Sequence, residues 1–276
     1  MKKNINIFVI SIAMLLPFAA VAQTDDKQSP EVGGRVSFAF DKKIVKGLHA
    51  SIEEELRFDN NFKSFDRFHT TVALKYKVHE NVKLGLGYSL INSYSSSSSS
   101  FKNARHRAFF DVTGTLKLGK WNLSLKERFQ STFRSGQYNA FQNPSCAMTL
   151  KSRLMVKYKG FRTVVPYAYF ELRTYFNAPV VSAAYDGSDY YTLDGEDSGD
   201  SGWFLNGFRG VYNNRYRGAT GAEINLAKGH SLDFYFLGDY FIDKEVDANS
   251  DGSELKSYSR KYGFMGTLGV AYKFSF

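Results

Sequence analysis

Imidazole is the side chain whose charge changes near neutral pH and which most often serves as a general base, so the histidines come first. His49, His69, His79, His106 and His230 are scattered along the 276 residues, and none stands beside a serine in a pattern that would arm a nucleophile. His49 and His69 fall on adjacent predicted strands and are expected to share an inner face at similar depth. They are the one weak candidate pair for catalysis, and solvated or hydrogen-bonded polar roles are the expected ones, so no catalytic residue is assigned.

Two segments have oxygen ligands that hard cations favour. Asp186, Asp189, Asp194, Glu196, Asp197 and Asp200 crowd one Gly/Ser-rich stretch without a basic residue, which reads as a solvated acidic loop. Asp247-Ala248-Asn249-Ser250-Asp251-Gly252 opens like a calcium loop, but Tyr258 stands where the bidentate Glu of position twelve belongs. It reads as an Asn/Asp/Gly turn. With no Gly-rich phosphate loop and no Cys/His zinc cluster, neither a metal nor a cofactor is expected. The single cysteine, Cys146, follows Asn143-Pro144-Ser145 and reads as a free loop thiol.

The remaining chemistry is charge at alternate positions. Arg57, Arg105, Arg107, Lys126, Arg128, Lys151, Arg153, Lys157, Arg173, Arg215 and Arg217 fall on the faces opposite the apolar ones, with Glu53, Glu55, Asp111, Glu171 and Glu223 as available partners. Eleven basic against five acidic groups would bias an open pore toward anions. Mutual pairing into a structural network is the expectation, because buried charges need partners. The chain carries +9 overall, yet its basic residues stand singly in strand patterns and form no basic run or helix, so nucleic acid is not an expected partner.

The elements that must position these groups are strands. Leu268, Val270, Tyr272, Phe274 and Phe276 place an apolar or aromatic side chain at every second position, with Phe276 terminal, the form of signal read by barrel-insertion machinery. Leu48, Ala50, Ile52, Leu56 and Phe58 repeat the pattern. So do Phe68, Val72, Leu74, Tyr76 and Val78, followed by Val82, Leu84, Leu86, Tyr88 and Leu90 beyond His79-Glu80-Asn81. Further hairpins turn at Gly119-Lys120, Lys159-Gly160 and Lys228-Gly229. Longer connections at Ser95 to Ser100, Ser135 to Ala147, Asn177 to about Gly207 and Asp243 to Lys256 alternate with these turns. Short turns on one side and long loops on the other are the asymmetry of an outer-membrane barrel.

An all-β fold follows: a transmembrane antiparallel β-barrel of 10 to 12 strands, with 12 favoured by the even-number rule for single-chain bacterial barrels. Eleven strands are plain if Arg35 to Phe40 is the first, with Asp41 to Gly47 as a turn; a further crossing within 177–207 would make the twelfth. Tyr76, Trp121, Tyr158, Tyr272 and Phe274 near the turns, and Tyr94, Phe133, Phe176 and Tyr240 near the loops, suit two aromatic girdles. Met1-Lys2-Lys3, the apolar run Ile7 to Ala20 and the Ala20-Val21-Ala22 site read as a signal peptide over residues 1–22, leaving 23–276 as one barrel domain.

Leu48-His49-Ala50-Ser51-Ile52-Glu53-Glu54-Glu55-Leu56-Arg57-Phe58, Leu84-Gly85-Leu86-Gly87-Tyr88, Arg105-His106-Arg107 and Leu123-Ser124-Leu125-Lys126-Glu127-Arg128-Phe129 resemble an outer-membrane barrel family catalogued as domain of unknown function 2490. The resemblance implies location and fold, not activity. The expected protein is therefore a monomeric outer-membrane barrel, a narrow anion-biased channel or a structural surface barrel, whose partners are outer-membrane lipid and the insertion machinery. An outer-membrane hydrolase acting on lipid or envelope substrates, and adhesion through the long loops, are the alternatives.

Overall fold

The computed structural model describes residues 28–136, 138–183, 203–252 and 255–276. The expected signal peptide and the acidic 186–200 stretch lie outside them. Among the described residues, twelve strands form in chain order: β1 (Glu31–Val45), β2 (Leu48–Asp59), β3 (Ser64–His79), β4 (Val82–Ser95), β5 (Ser100–Phe101), β6 (Arg105–Leu118), β7 (Trp121–Arg134), β8 (Cys146–Tyr158), β9 (Val164–Ala183), β10 (Trp203–Ala227), β11 (His230–Ala248) and β12 (Leu255–Ser275). Eleven of them close into a ring in the order β3-β2-β1-β12-β11-β10-β9-β8-β7-β6-β4, with β4 paired back to β3. The twelfth, β5, only folds back on the end of β4, Tyr94 facing Phe101 and Ser95 facing Ser100.

The wall is odd-numbered, and its seam explains how. β1 runs from the loop side to the turn side, as β12 does, so the two meet in parallel from Glu31 opposite Met265 to Asp41 opposite Ser275. Every other wall pairing is antiparallel. The crossing expected within 177–207 falls largely outside the described residues; those that are described pair as β9 and β10, directly as far as Ala183 and Trp203.

The tight turns fall where the sequence places them, and Gly119 (φ 59°) and Gly229 (φ 80°) supply the left-handed backbone that a two-residue hairpin requires. The expected loops are shorter than predicted because strands run on into them. β9 continues through Asn177 to Ala183, β10 already starts at Trp203, and β11 continues through Asp243 to Ala248. Beyond the lipid belt the outward positions no longer face hydrocarbon, so the ladder goes on while the apolar alternation that reveals a strand fades, although Asn177, Ala178, Val246 and Ala248 stay buried. Asp41, expected in a turn, lies within β1 for the same reason, and Cys146 is not a loop residue but opens β8 opposite Phe133.

Phe38, Ile52, Leu74, Leu86, Phe110, Leu125, Leu154, Phe234 and Leu268 all point outward, Leu86 with 61% of its surface exposed. A continuous apolar belt of this extent is incompatible with water and fits hydrocarbon. Aromatic contacts rim it. Trp121 and Tyr158 lie 4.7 Å apart between ring centres at the turn side, and Tyr94 and Phe101 lie 5.3 Å apart at the loop side.

Candidate functional site

Alternation along β8 to β11 sends one charged column per strand inward, and register brings the columns level. Arg153 opposes Glu171, Glu171 opposes Arg217, and Arg217 opposes Asp239. The side chains follow the backbone. Arg153 Nε donates to Glu171 Oε2 at 2.8 Å and Arg217 Nη1 to Glu171 Oε1 at 3.1 Å. Arg217 Nε donates to Asp239 Oδ2 at 2.9 Å, and Arg215 bridges Asp239 at 3.3 Å and Asp243 at 3.0 Å. Arg173 donates to Asn214 at 2.7 Å, and Asn214 continues the chain to Asp243. Glu171 is 2% exposed and Asp239 0%, so these carboxylates depend on their guanidinium partners rather than on water.

Smaller clusters occupy the rest of the wall. Arg128 grips Asp111 with two hydrogen bonds of 2.6 and 2.7 Å, Lys126 approaches the same carboxylate at 2.9 Å, and the Arg128 guanidinium lies over the Phe109 ring. Arg57 pairs with Glu55 at 2.6 Å, Arg107 donates to Thr132 and Arg105 to Ser93. Lys157 pairs with Glu223 at 3.1 Å, beside a Tyr167 hydroxyl that donates to Asp233. Glu53 lies within electrostatic reach of Lys75 and Arg128. Of the thirteen residues singled out for the lumen, Glu53, Glu55, Arg57, Arg105, Arg107, Lys126, Arg128, Arg153, Glu171, Arg173, Arg215, Arg217 and Glu223, most are paired with one another or with neighbouring polar groups.

The clusters also influence one another across the lumen. Glu55 on β2 is within electrostatic reach of Lys151 on β8, as well as of Arg35 on β1. β2 and β8 stand five strands apart one way round the ring and six the other, on opposite walls. Charges on facing walls therefore act on one another across the lumen.

Several participants were passed over in the sequence. Asp239 and Asp243 were hidden beside the aromatic run of β11, although each is offset by one from Tyr240 or Ile242 and so must face inward. Arg35 and Asp41 belong to the strand whose end was misplaced. Asp41 accepts from His49 Nδ1 at 2.8 Å.

The histidine pair dissolves in three dimensions. His49 is level with Lys75, and His69 with Glu55, six residues farther along β3, a separation of about 20 Å at ~3.3 Å per residue. Both face inward, His69 lying 3.7 Å from Glu55, but they cannot share a substrate atom. His106 contacts the Tyr88 hydroxyl on the outer face, and His230 meets Tyr272 and stacks on Phe274 near the turns. In the calcium-like segment the Asp247 carboxylate accepts from Gln142, while Asn139 Nδ2 donates to the Ala248 carbonyl at 2.7 Å. Its polar groups thus fasten the 138–143 loop to the β11–β12 tip. Among the described residues, no three His, Cys, Asp or Glu side chains converge as metal ligands.

The family model described as "Protein of unknown function (DUF2490)" matches residues 36–187, more than half of the chain. The chain belongs to this family. Among solved structures, the outer-membrane expressed OmpT of Vibrio cholerae is similar to it at 9% identity with a TM-score of 0.34, over 82% of this chain and 64% of that one. No curated protein matches.

The DUF2490 segment runs from β1 to the end of β9, so it holds Glu55, Asp111 and Glu171 but not Asp239. It also holds two acids on the wrong face. Glu54 and Glu127 sit in the outward columns of β2 and β7, each six residues above the turn-side start of its strand, in mid-belt. Each accepts from a hydroxyl on the next strand, Glu54 from Thr70 at 2.7 Å and Glu127 from Ser152 at 2.6 Å. One hydrogen bond offsets only part of the cost of a carboxyl group facing hydrocarbon.

Proposed function

We propose that this DUF2490 protein is a monomeric outer-membrane barrel of structural or surface-binding role, its turns toward the periplasm and its interior closed by its own charges. The observation that carries the reading is the Arg153–Glu171–Arg217–Asp239 chain of charge-assisted hydrogen bonds, with both carboxylates buried from water. A conductive path needs groups that release ions readily, whereas these groups are committed to one another. The distance between His49 and His69 counts against their acting together as a catalytic pair. The extended β9–β10 and β11–β12 hairpins, rising beyond the lipid belt, are the surfaces through which binding would occur. Outer-membrane lipid and the insertion machinery, reading the alternating face of β12, are the partners this reading requires.

A narrow anion-biased channel is the second reading, favoured by the excess of basic over acidic groups on the inner face. Single-channel recording of the refolded protein in planar bilayers under a salt gradient separates the two. A heat-modifiable, folded barrel without steady openings is the expected result. Steady anion-biased openings would overturn the closed interior and leave the channel.

A further inference from the structure

The turn-side mouth of the barrel opens into a cavity of about 730 Å³ whose chemistry the closed interior does not use. Seven of its sixteen lining side chains are cationic and two, Glu80 and Glu223, are acidic. Glu223 is already taken by Lys157 at 3.1 Å. Among the described residues, Lys77, Lys83, Lys117 and Arg162 have no carboxylate within ion-pairing distance. Two of them are set against each other, because Lys77 and Lys83 are directly opposed across β3 and β4 and line the same cavity. Like charges in that relation destabilise a sheet unless an anion lies between them. Asn81, Asn122 and Ser124 add neutral hydrogen-bonding groups to the same wall. The volume is that of a small-ligand site rather than of a macromolecular surface.

We infer that this vestibule is a binding site for a small, multiply charged phosphate-bearing anion, held chiefly by the opposed Lys77 and Lys83 and by Lys117 and Arg162. Two phosphoryl groups of one ligand would place negative charge between lysines that otherwise repel. The site lies inside the ring of turns, so the ligand enters from the turn side, and the inference stands whether or not the lumen conducts.

The test is calorimetric titration of the refolded full chain in a zwitterionic detergent, with pyrophosphate as one probe and a short-chain phosphatidic acid as the other. Saturable binding of one probe molecule per barrel is expected, weakening with added salt, and the tighter probe tells a soluble anion from a lipid headgroup. Lys77→Gln with Lys83→Gln should weaken binding at least tenfold, whereas Lys63→Gln, in the exposed β2–β3 turn, should leave it unchanged. In thermal unfolding, the double variant should also lose the upward shift of midpoint that the probe gives the unaltered protein. No saturable binding of either probe, or equal loss in Lys63→Gln, would overturn the inference.

Discussion

Replacing Asp239 tests whether the interior is dry. This carboxylate is fully buried and holds two guanidiniums, Arg217 at 2.9 Å and Arg215 at 3.3 Å. In Asp239→Ala, Arg217 keeps only Glu171, which it already shares with Arg153, and Arg215 keeps only Asp243. Removing one member of a desolvated ion network costs about 3–5 kcal/mol, because the abandoned charges stay buried. Asp239→Asn retains the shape and one acceptor, and should lose roughly 1.5–3 kcal/mol, the worth of a hydrogen bond to a charged group. Asp239→Leu combined with Arg217→Met removes the opposed charges together and should recover much of the loss. Equilibrium unfolding of the refolded protein in guanidinium, followed by tryptophan fluorescence and by gel mobility, measures all three. A loss below about 1 kcal/mol in Asp239→Ala would refute the reasoning, since only a water-filled lumen screens a missing partner so completely.

On the lipid side the sign reverses. Glu54→Leu and Glu127→Leu should each stabilise the barrel in lipid by about 1 kcal/mol, the relief of an acid in the apolar belt less its hydroxyl bond, as read from urea unfolding in vesicles. Arg105→Glu with Arg107→Glu should leave planar bilayers without steady openings, whereas a new or sign-changed conductance would place both residues on an ion path. Asn139→Ala with Gln142→Ala should release the 138–143 loop from the β11–β12 tip and speed its cleavage by an added protease; unchanged cleavage would mean that the two contacts do not hold it.

What could be read in advance follows the physics of alternation. Val82 to Leu90 announced β4 because hydrocarbon on one side and a polar lumen on the other impose a two-residue period, and Gly119 and Gly229 announced their turns because other residues resist a left-handed backbone. The period fails where hydrocarbon no longer covers the outer face, so Asn177 to Ala183 and Asp243 to Ala248 read as loops while pairing as strands. Which inward charges exist was legible from parity, as for Arg153, Glu171 and Arg217. Which of them meet was not, because register across β8 to β11 depends on the closure of the ring. An even strand count presumed antiparallel closure, and the sequence pattern of a strand does not distinguish its neighbour's direction.

That closure also orders assembly in time. Hairpins such as β6–β7 join residues close in the chain, but the β1–β12 seam joins Glu31 to Met265, so almost the whole polypeptide must be arranged before its first contact can form. Parallel pairing is slightly weaker per residue than antiparallel pairing. The last joint to form is therefore held more weakly per residue than the antiparallel joints, and it is expected to part early under denaturant or sideways strain. Hydrogen–deuterium exchange should reach the amides shared by β1 and β12 ahead of those shared by β6 and β7, marking a built-in slit through which a bilayer-embedded cylinder can breathe toward lipid.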